Sequence, residues 1–244
     1  MRKRYGRLAA VAGAALLAGA GLTACGGGGG DGLTELSGKE VADRAQKALG
    51  TAKSVHWTAD IEEQTGKVRI DLVMDQDGNC AGTFSQGEGT AELVKRGDQV
   101  WMRMDRAYWE SQAGGAGTEI FETVDGRYLS GPASHPILGG TASACDLKAM
   151  QENTSAENGA EWKDPEEGEA EGQDVVSIET EDAGATTTMH VAATGEPYPV
   201  RIEQQGDGST TTMTFTEYDE PVPQETPSAE ESVDVNEIQE KLGG

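Results

Sequence analysis

Residues 54–109 read SVHWTADIEEQTGKVRIDLVMDQDGNCAGTFSQGEGTAELVKRGDQVWMRMDRAYW, and the alternation of apolar and polar positions in them decides the fold. In SVHWTADIEEQ, Val55, Trp57, Ala59 and Ile61 share one parity, while His56, Thr58, Asp60 and Glu62 share the other. That is the pattern of a strand buried on one side. Thr65-Gly66 interrupts the run, and KVRIDLVMD resumes it with Val68, Ile70, Leu72 and Met74 on one face and Arg69, Asp71 and Asp75 on the other. Two such runs across a short break make a hairpin. After a turn at Asp77-Gly78 come CAGTFSQ, with Phe84 as its large apolar residue, then TAELVK, a turn at Arg96-Gly97-Asp98, and VWMRMD. The stretch is therefore expected to form a five-stranded antiparallel meander with one apolar face. It holds no catalytic motif, which favours binding or carriage over a reaction.

On the N-terminal side, Ser37 and Glu40 have the spacing of a capping box and Leu36 and Val41 that of a hydrophobic staple. A helix over residues 38–49 follows, with Val41, Ala45 and Leu49 as its apolar stripe. Beyond Trp109 the alternation stops. TEIFETV, with Thr118 as a cap, predicts a short helix burying Ile120, Phe121 and Val124, and CDLKAM after Ser143 predicts a second; the segment from Gly114 to Met150 is expected to lie across the apolar face as a lid. Residues 152–174 hold nine acids and one lysine, which suits a solvated loop. Calcium binding is the alternative, but the D-x-[DN]-x-[DN]-G spacing is absent. Alternation returns in QDVVSIETE, ATTTMHVAA, YPVRIEQQ and STTTMTFTEY, four more strands with threonines expected on the solvent side. From Pro221 the composition suits a linker or surface strap, followed by a terminal helix through Val235, Ile238 and Leu242.

Charge and address come from the ends. The chain has 244 residues and a formal charge of −24. Residues 1–24 hold four of its 19 basic residues and no acid, so residues 25–244 stand at −28. Nucleic acid is excluded as a partner by that balance, and an anionic membrane surface would repel the body of the protein. Attachment to a membrane needs a covalent or hydrophobic device. Arg2, Lys3, Arg4 and Arg7 precede an apolar run from Leu8 to Ala20, and Leu22-Thr23-Ala24-Cys25 places small residues before a cysteine. This resembles a bacterial lipoprotein signal peptide ending in a lipobox. The resemblance implies removal of residues 1–24 and acylation of Cys25, with the glycine-rich segment 25–33 as a tether, anchoring the protein to the outer face of the cell membrane in a Gram-positive-type envelope. Cys80 and Cys145 then remain in an exported chain, and a disulfide between them is the natural reading, with two free thiols as the alternative.

The order of lipobox, tether, helix, five-stranded meander, helical segment and four-stranded meander resembles the LolA/LppX-like (LppX_LprAFG-type) lipoproteins. The likeness runs over most of residues 37–220 and is sharpest at ALGTAKSVHWTADI (48–61), VWMRMDRAYWE (100–110) and MHVAATGEPYPVRIE (189–203). It implies an α+β fold, a curved antiparallel sheet of about nine strands forming an incomplete barrel, with helices packed on its concave face. It further implies a single domain over residues 34–220 with a tail at 221–244, a cavity for acyl chains or lipids, and no enzymatic activity. A monomer is expected. The alternative is an interaction or sensory lipoprotein with a packed core and an acidic surface for an envelope protein partner.

The cavity can be placed from the residues themselves. The inward face of the first meander offers Val55, Trp57, Ile61, Val68, Ile70, Leu72, Met74, Phe84, Leu93, Val100, Met102 and Met104, against a lid whose main side chains are Ile120, Phe121, Val124, Leu147 and Met150. That much sheet under so little cover is expected to leave a gap, unless Trp57, Trp101 and Trp109 fill it. No cofactor or metal is expected, because His56, His135 and His190 are scattered and no H-E-x-x-H, C-x-x-C or G-x-S-x-G accompanies them. Replacing Cys25 by alanine should release the protein into the soluble fraction and abolish incorporation of radiolabelled palmitate. Label or membrane association that survives the substitution would contradict the lipobox reading.

Overall fold

The computed structural model describes residues 32–64, 66–153, 160–206 and 208–243. Residues 1–31, and with them the expected signal peptide, Cys25 and most of the expected tether, lie outside these. A short 3-10 turn at Leu33–Glu35 leads into helix α1 (Gly38–Thr51), whose capping box is complete: the Ser37 hydroxyl accepts from the Glu40 amide, and the Glu40 carboxylate accepts from the Ser37 amide at 2.9 Å. Val41, Ala42, Ala45 and Leu49 are fully buried beneath it. The first meander follows as β1 (Ser54–Glu63), β2 (Gly66–Asp75), β3 (Cys80–Gln86), β4 (Gly89–Arg96) and β5 (Gln99–Met104). Its register puts Val55 opposite Met74, Trp57 opposite Leu72, Gly82 opposite Leu93 and Leu93 opposite Met102, so the inward parity read from the sequence forms one continuous face. Gly82 sits where β2 comes too close for a side chain: a Cβ there would stand 1.9 Å from the Asp71 carbonyl oxygen.

The strand pattern ends sooner than expected. Asp105 accepts a hydrogen bond from the Tyr108 amide at 2.7 Å and starts helix α2 (Arg106–Ala113), so Trp109 is helical. Helix α3 (Gly115–Val124), strand β6 (Tyr128–Pro132), helix α4 (Pro136–Ala142), a 3-10 turn at Ser143–Cys145 and helix α5 (Leu147–Asn153) make up the helical insertion. The second meander comprises β7 (Glu166–Ala170), β8 (Gln173–Asp182), β9 (Ala185–Ala192), β10 (Pro199–Gly206) and β11 (Ser209–Thr216). Strand β12 (Ser232–Asp234) and helix α6 (Val235–Gly243) end the described chain.

All twelve described strands belong to one sheet, ordered β12-β6-β5-β4-β3-β2-β1-β11-β10-β9-β8-β7. The two ends of that order are not paired with each other, so the sheet is a curved open trough and the fold is α+β, as expected. The strand count rises from about nine to twelve. The three additional strands are short, and β7 (EEGEA) has no apolar alternation because it is an edge exposed on both sides.

The segment after residue 220, expected as a tail, packs against the sheet. It runs as a strap from β11 toward β6: the Ser54 hydroxyl donates to the Glu220 carbonyl at 2.6 Å, the Arg96 guanidinium donates to the carbonyls of Pro223 and Glu225, and the Tyr128 amide donates to the Glu231 carbonyl at 2.8 Å. β12 then pairs in parallel with β6, and Val222, Val233, Val235 and Ile238 are buried. Cys80 and Cys145 form a disulfide across 65 residues of sequence with their Cα atoms 5.5 Å apart, both buried.

Burying each of those four side chains is worth about 1.5–3 kcal/mol, a total comparable to the roughly 5–15 kcal/mol stability of a whole domain. A chain ending at residue 220 should therefore fail to fold cooperatively, as read by the loss of a sigmoidal thermal transition. A truncated chain that melts like the full one would refute a domain that extends through α6. Replacing Cys80 and Cys145 together by alanine should cost about 2–4 kcal/mol in denaturant unfolding. No change would mean that the bond contributes nothing to the cover it ties down.

Candidate functional site

The register of the second meander brings a mixed set of side chains to the concave face. Ile178 stands opposite Met189, Met189 opposite Ile202, and Ile202 opposite Met213; one step outward, Thr180 stands opposite Thr187 and Thr187 opposite Gln204. Across the seam, Trp57 of β1 pairs with Phe215 of β11. Above this floor lie Ser143 and Ala144 of the 3-10 turn and Asp146, Ala149 and Met150 at α5, with Ala160 and Trp162 as a side wall. Between floor and cover is a cleft of about 570 Å³. Its origin is steric: Ser143, Ala144 and Ala149 are too small to reach the floor, while cover made of larger side chains would have closed it.

Three contacts fix the cover in place. The disulfide ties Cys145 to β3, and Leu147 is buried in the core. The Gln151 side chain donates to the carbonyl oxygens of Leu49 and Ala52 at 2.7 and 3.1 Å, joining the Ala52 amide and the Gln76 side chain that already donate to them at the end of α1. Asp146 caps α5 by accepting from the Ala149 amide at 3.0 Å. The side wall is held by an isolated bridge from Trp162 to Thr180 and by the Lys163 amide donating to the Glu179 carbonyl at 2.8 Å. α1 fits closely here, since a Cβ on Gly38 would lie 2.1 Å from the Lys163 carbonyl oxygen. The Lys163 ammonium pairs with Glu179 and Glu181, whose hydrogen bonds hold its pKa well above the usual lysine value.

Of the twelve residues expected to line the cavity, only Trp57 borders this cleft. Val55, Leu72, Met74, Leu93, Val100, Met102 and Met104 are buried in the packed core, and Ile61, Val68, Ile70 and Phe84 are half-buried away from the cleft. The reason lies in the cover. Over the first meander the core gains Trp109, Val124, Leu129, Leu138, Val235 and Ile238, from α2, α3, β6, α4 and α6. The imbalance between sheet and lid exists, but on the other half of the trough. Met150, read as a lid residue, is at the cleft, and so is Thr187, whose strand was expected to turn its threonines to solvent. The signal for Ala185, Thr187 and Met189 was the parity of ATTTMHVAA, which puts one threonine inward for each pair outward.

Nε1 of Trp57 is buried and has no hydrogen-bond partner among the described residues. An unpaired buried donor of this kind costs roughly 1–3 kcal/mol. The histidines of the sheet lie on the opposite, convex face. His56 Nε2 is 2.8 Å from Asp71, and His190 bridges Ser177 at 2.8 Å and Glu203 at 3.2 Å, with Glu203 also bound by Arg201 at 2.7 Å. These are cross-strand polar ladders. Among the described residues no cluster of His, Cys, Asp or Glu is arranged to hold a metal ion, and no helix is long and apolar enough to cross a membrane.

An open antiparallel trough with a helical cover and a cleft beneath it defines the class of protein. Within that class the fold matches LprF from Mycobacterium bovis, with a TM-score of 0.52 at 14% identity over 79% of this chain and 97% of LprF. The lipoprotein LppX from Mycobacterium tuberculosis is similar at a TM-score of 0.46 and 10% identity, over 76% of this chain and 97% of LppX. The likeness to LprF bears out the fold that the sequence pattern resembled. No family model matches the sequence, and no curated protein matches it.

Proposed function

We propose that the domain binds acyl chains in the cleft between β8–β11 and α5, and that a lipid anchor at Cys25 holds it on the outer face of the cell membrane. The cleft is the observation that carries the reading. Its volume of about 570 Å³ falls within the roughly 300–1,000 Å³ of small-molecule sites. Its larger apolar side chains are Trp57, Trp162, Ile202 and three methionines, Met150, Met189 and Met213. Methionine is flexible and polarizable, and it suits a ligand without fixed shape. Each methylene moved from water into such a site gains about 0.8 kcal/mol. The anchor is supported by the lipobox at 22–25 and by the charge of −28 on the rest of the chain, which leaves a covalent device as the means of attachment. On this reading residues 25–33 tether a single domain that extends through α6.

Ala149→Trp tests the site. A tryptophan at this half-buried position fills the cleft from its cover, so the variant should lose binding of an uncharged fluorescent acyl probe by tenfold or more while its melting temperature stays nearly unchanged. If the space is in fact packed, the same change overpacks it at a cost of about 1–3 kcal/mol. A wild-type protein that binds no acyl probe, together with a strongly destabilised variant, would reject the acyl-binding reading in favour of a packed interaction domain.

A further inference from the structure

We infer that the cleft selects its ligand by charge: it accepts acyl molecules whose head group is uncharged or cationic and rejects those with an anionic head, with Asp146 and Asp182 as the discriminating residues. This rests on the acyl-binding reading above. The described residues that line the cleft include these two carboxylates and no lysine, arginine or histidine. Residues 154–159, outside the described set, read TSAENG and add no basic group. The nearest cation in sequence to the side wall, Lys163, is engaged by Glu179 and Glu181. Lys95 and Lys148 border a neighbouring polar recess that shares Ser143 and Asp146 with the cleft, and there they stand among the carboxylates of Asp75, Asp77, Asp98 and Asp146. An anionic head in the cleft would therefore meet two exposed carboxylates and no basic side chain on its described lining, in the field of residues 25–244 at −28.

The remaining polar groups fit a hydroxylated or amine-bearing head. Ser143, Thr187 and Gln204 offer neutral donors and acceptors around the apolar floor. Asp146 and Asp182 lie on opposite sides of the cleft: Asp146 caps α5 in the cover, and Asp182 ends β8 at the hairpin to β9, opposite Ala185. Because asparagine caps a helix as well as aspartate does, Asp146→Asn removes the charge and keeps the cap.

Three amphiphiles sharing a twelve-carbon tail test the inference on the Cys25→Ala protein by displacement of an uncharged fluorescent acyl probe at neutral pH. Monododecanoylglycerol and dodecyltrimethylammonium should bind, and dodecanoate should bind at least tenfold more weakly at low salt. The gap should narrow in 0.5 M salt, because exposed charges are screened over about 3–10 Å at such ionic strengths. In the Asp146→Asn/Asp182→Asn double variant dodecanoate should come within about threefold of monododecanoylglycerol, a gain that a structural role for either residue would not produce. Equal binding of all three by the wild type, or an unchanged gap in the double variant, overturns the inference and leaves acyl binding standing. Binding of none of the three overturns acyl binding and the inference with it.

Discussion

Strand β1 is hydrogen-bonded on both sides, to β2 through ten residue pairs and to β11 through seven, and the second of these pairings makes one sheet out of two meanders. Every other feature depends on that seam. It sets Trp57 between Leu72 and Phe215, at the boundary of the two halves of the trough. It also produces a concave face wider than a few short helices can cover evenly. Where the cover is thick the face becomes core, and where it is thin the face becomes a cleft.

The unevenness of the cover has a covalent and a polar origin. The disulfide and the bonds from Gln151 to the end of α1 hold α5 at one place over the floor, and the residues it presents there, Ala149 with the neighbouring Ala144 and Ser143, are small. On the other half, the strap from β11 to β6 delivers β12 and α6, which fill the space with Val233, Val235 and Ile238. Close packing and free space are thus divided between the halves of one sheet. A deletion in the first half costs core, while a change under α5 alters the shape of a space.

Much of the fold was legible because it rests on local periodicity. The alternation in VHWTADI and KVRIDLV needs no tertiary information, and neither does the capping box at Ser37 and Glu40. Helix α2 was missed although Asp105 is a cap-forming residue, because the alternation of VWMRMD ran up to it. Strands β6 and β12 pair in parallel between residues about a hundred apart, Val233 with Leu129, and such a pairing leaves no mark on either short segment. The position of the cleft was illegible for a related reason. Which half of the sheet is under-covered depends on where Gln151 and Cys145 tie the helical segment and on what a tail at residues 232–243 contributes, and both are long-range facts. Parity identified the inward residues; only the tertiary arrangement separates those that pack from those that line a space.

Native mass spectrometry of the protein, released gently from its own host membranes, tests most directly whether the space under α5 holds acyl chains. Acyl-sized mass should remain on the folded protein beyond that of any covalent lipid at Cys25, and should leave on collisional activation. A single mass equal to that of the processed chain with its anchor, under conditions that keep the fold intact, would contradict acyl binding.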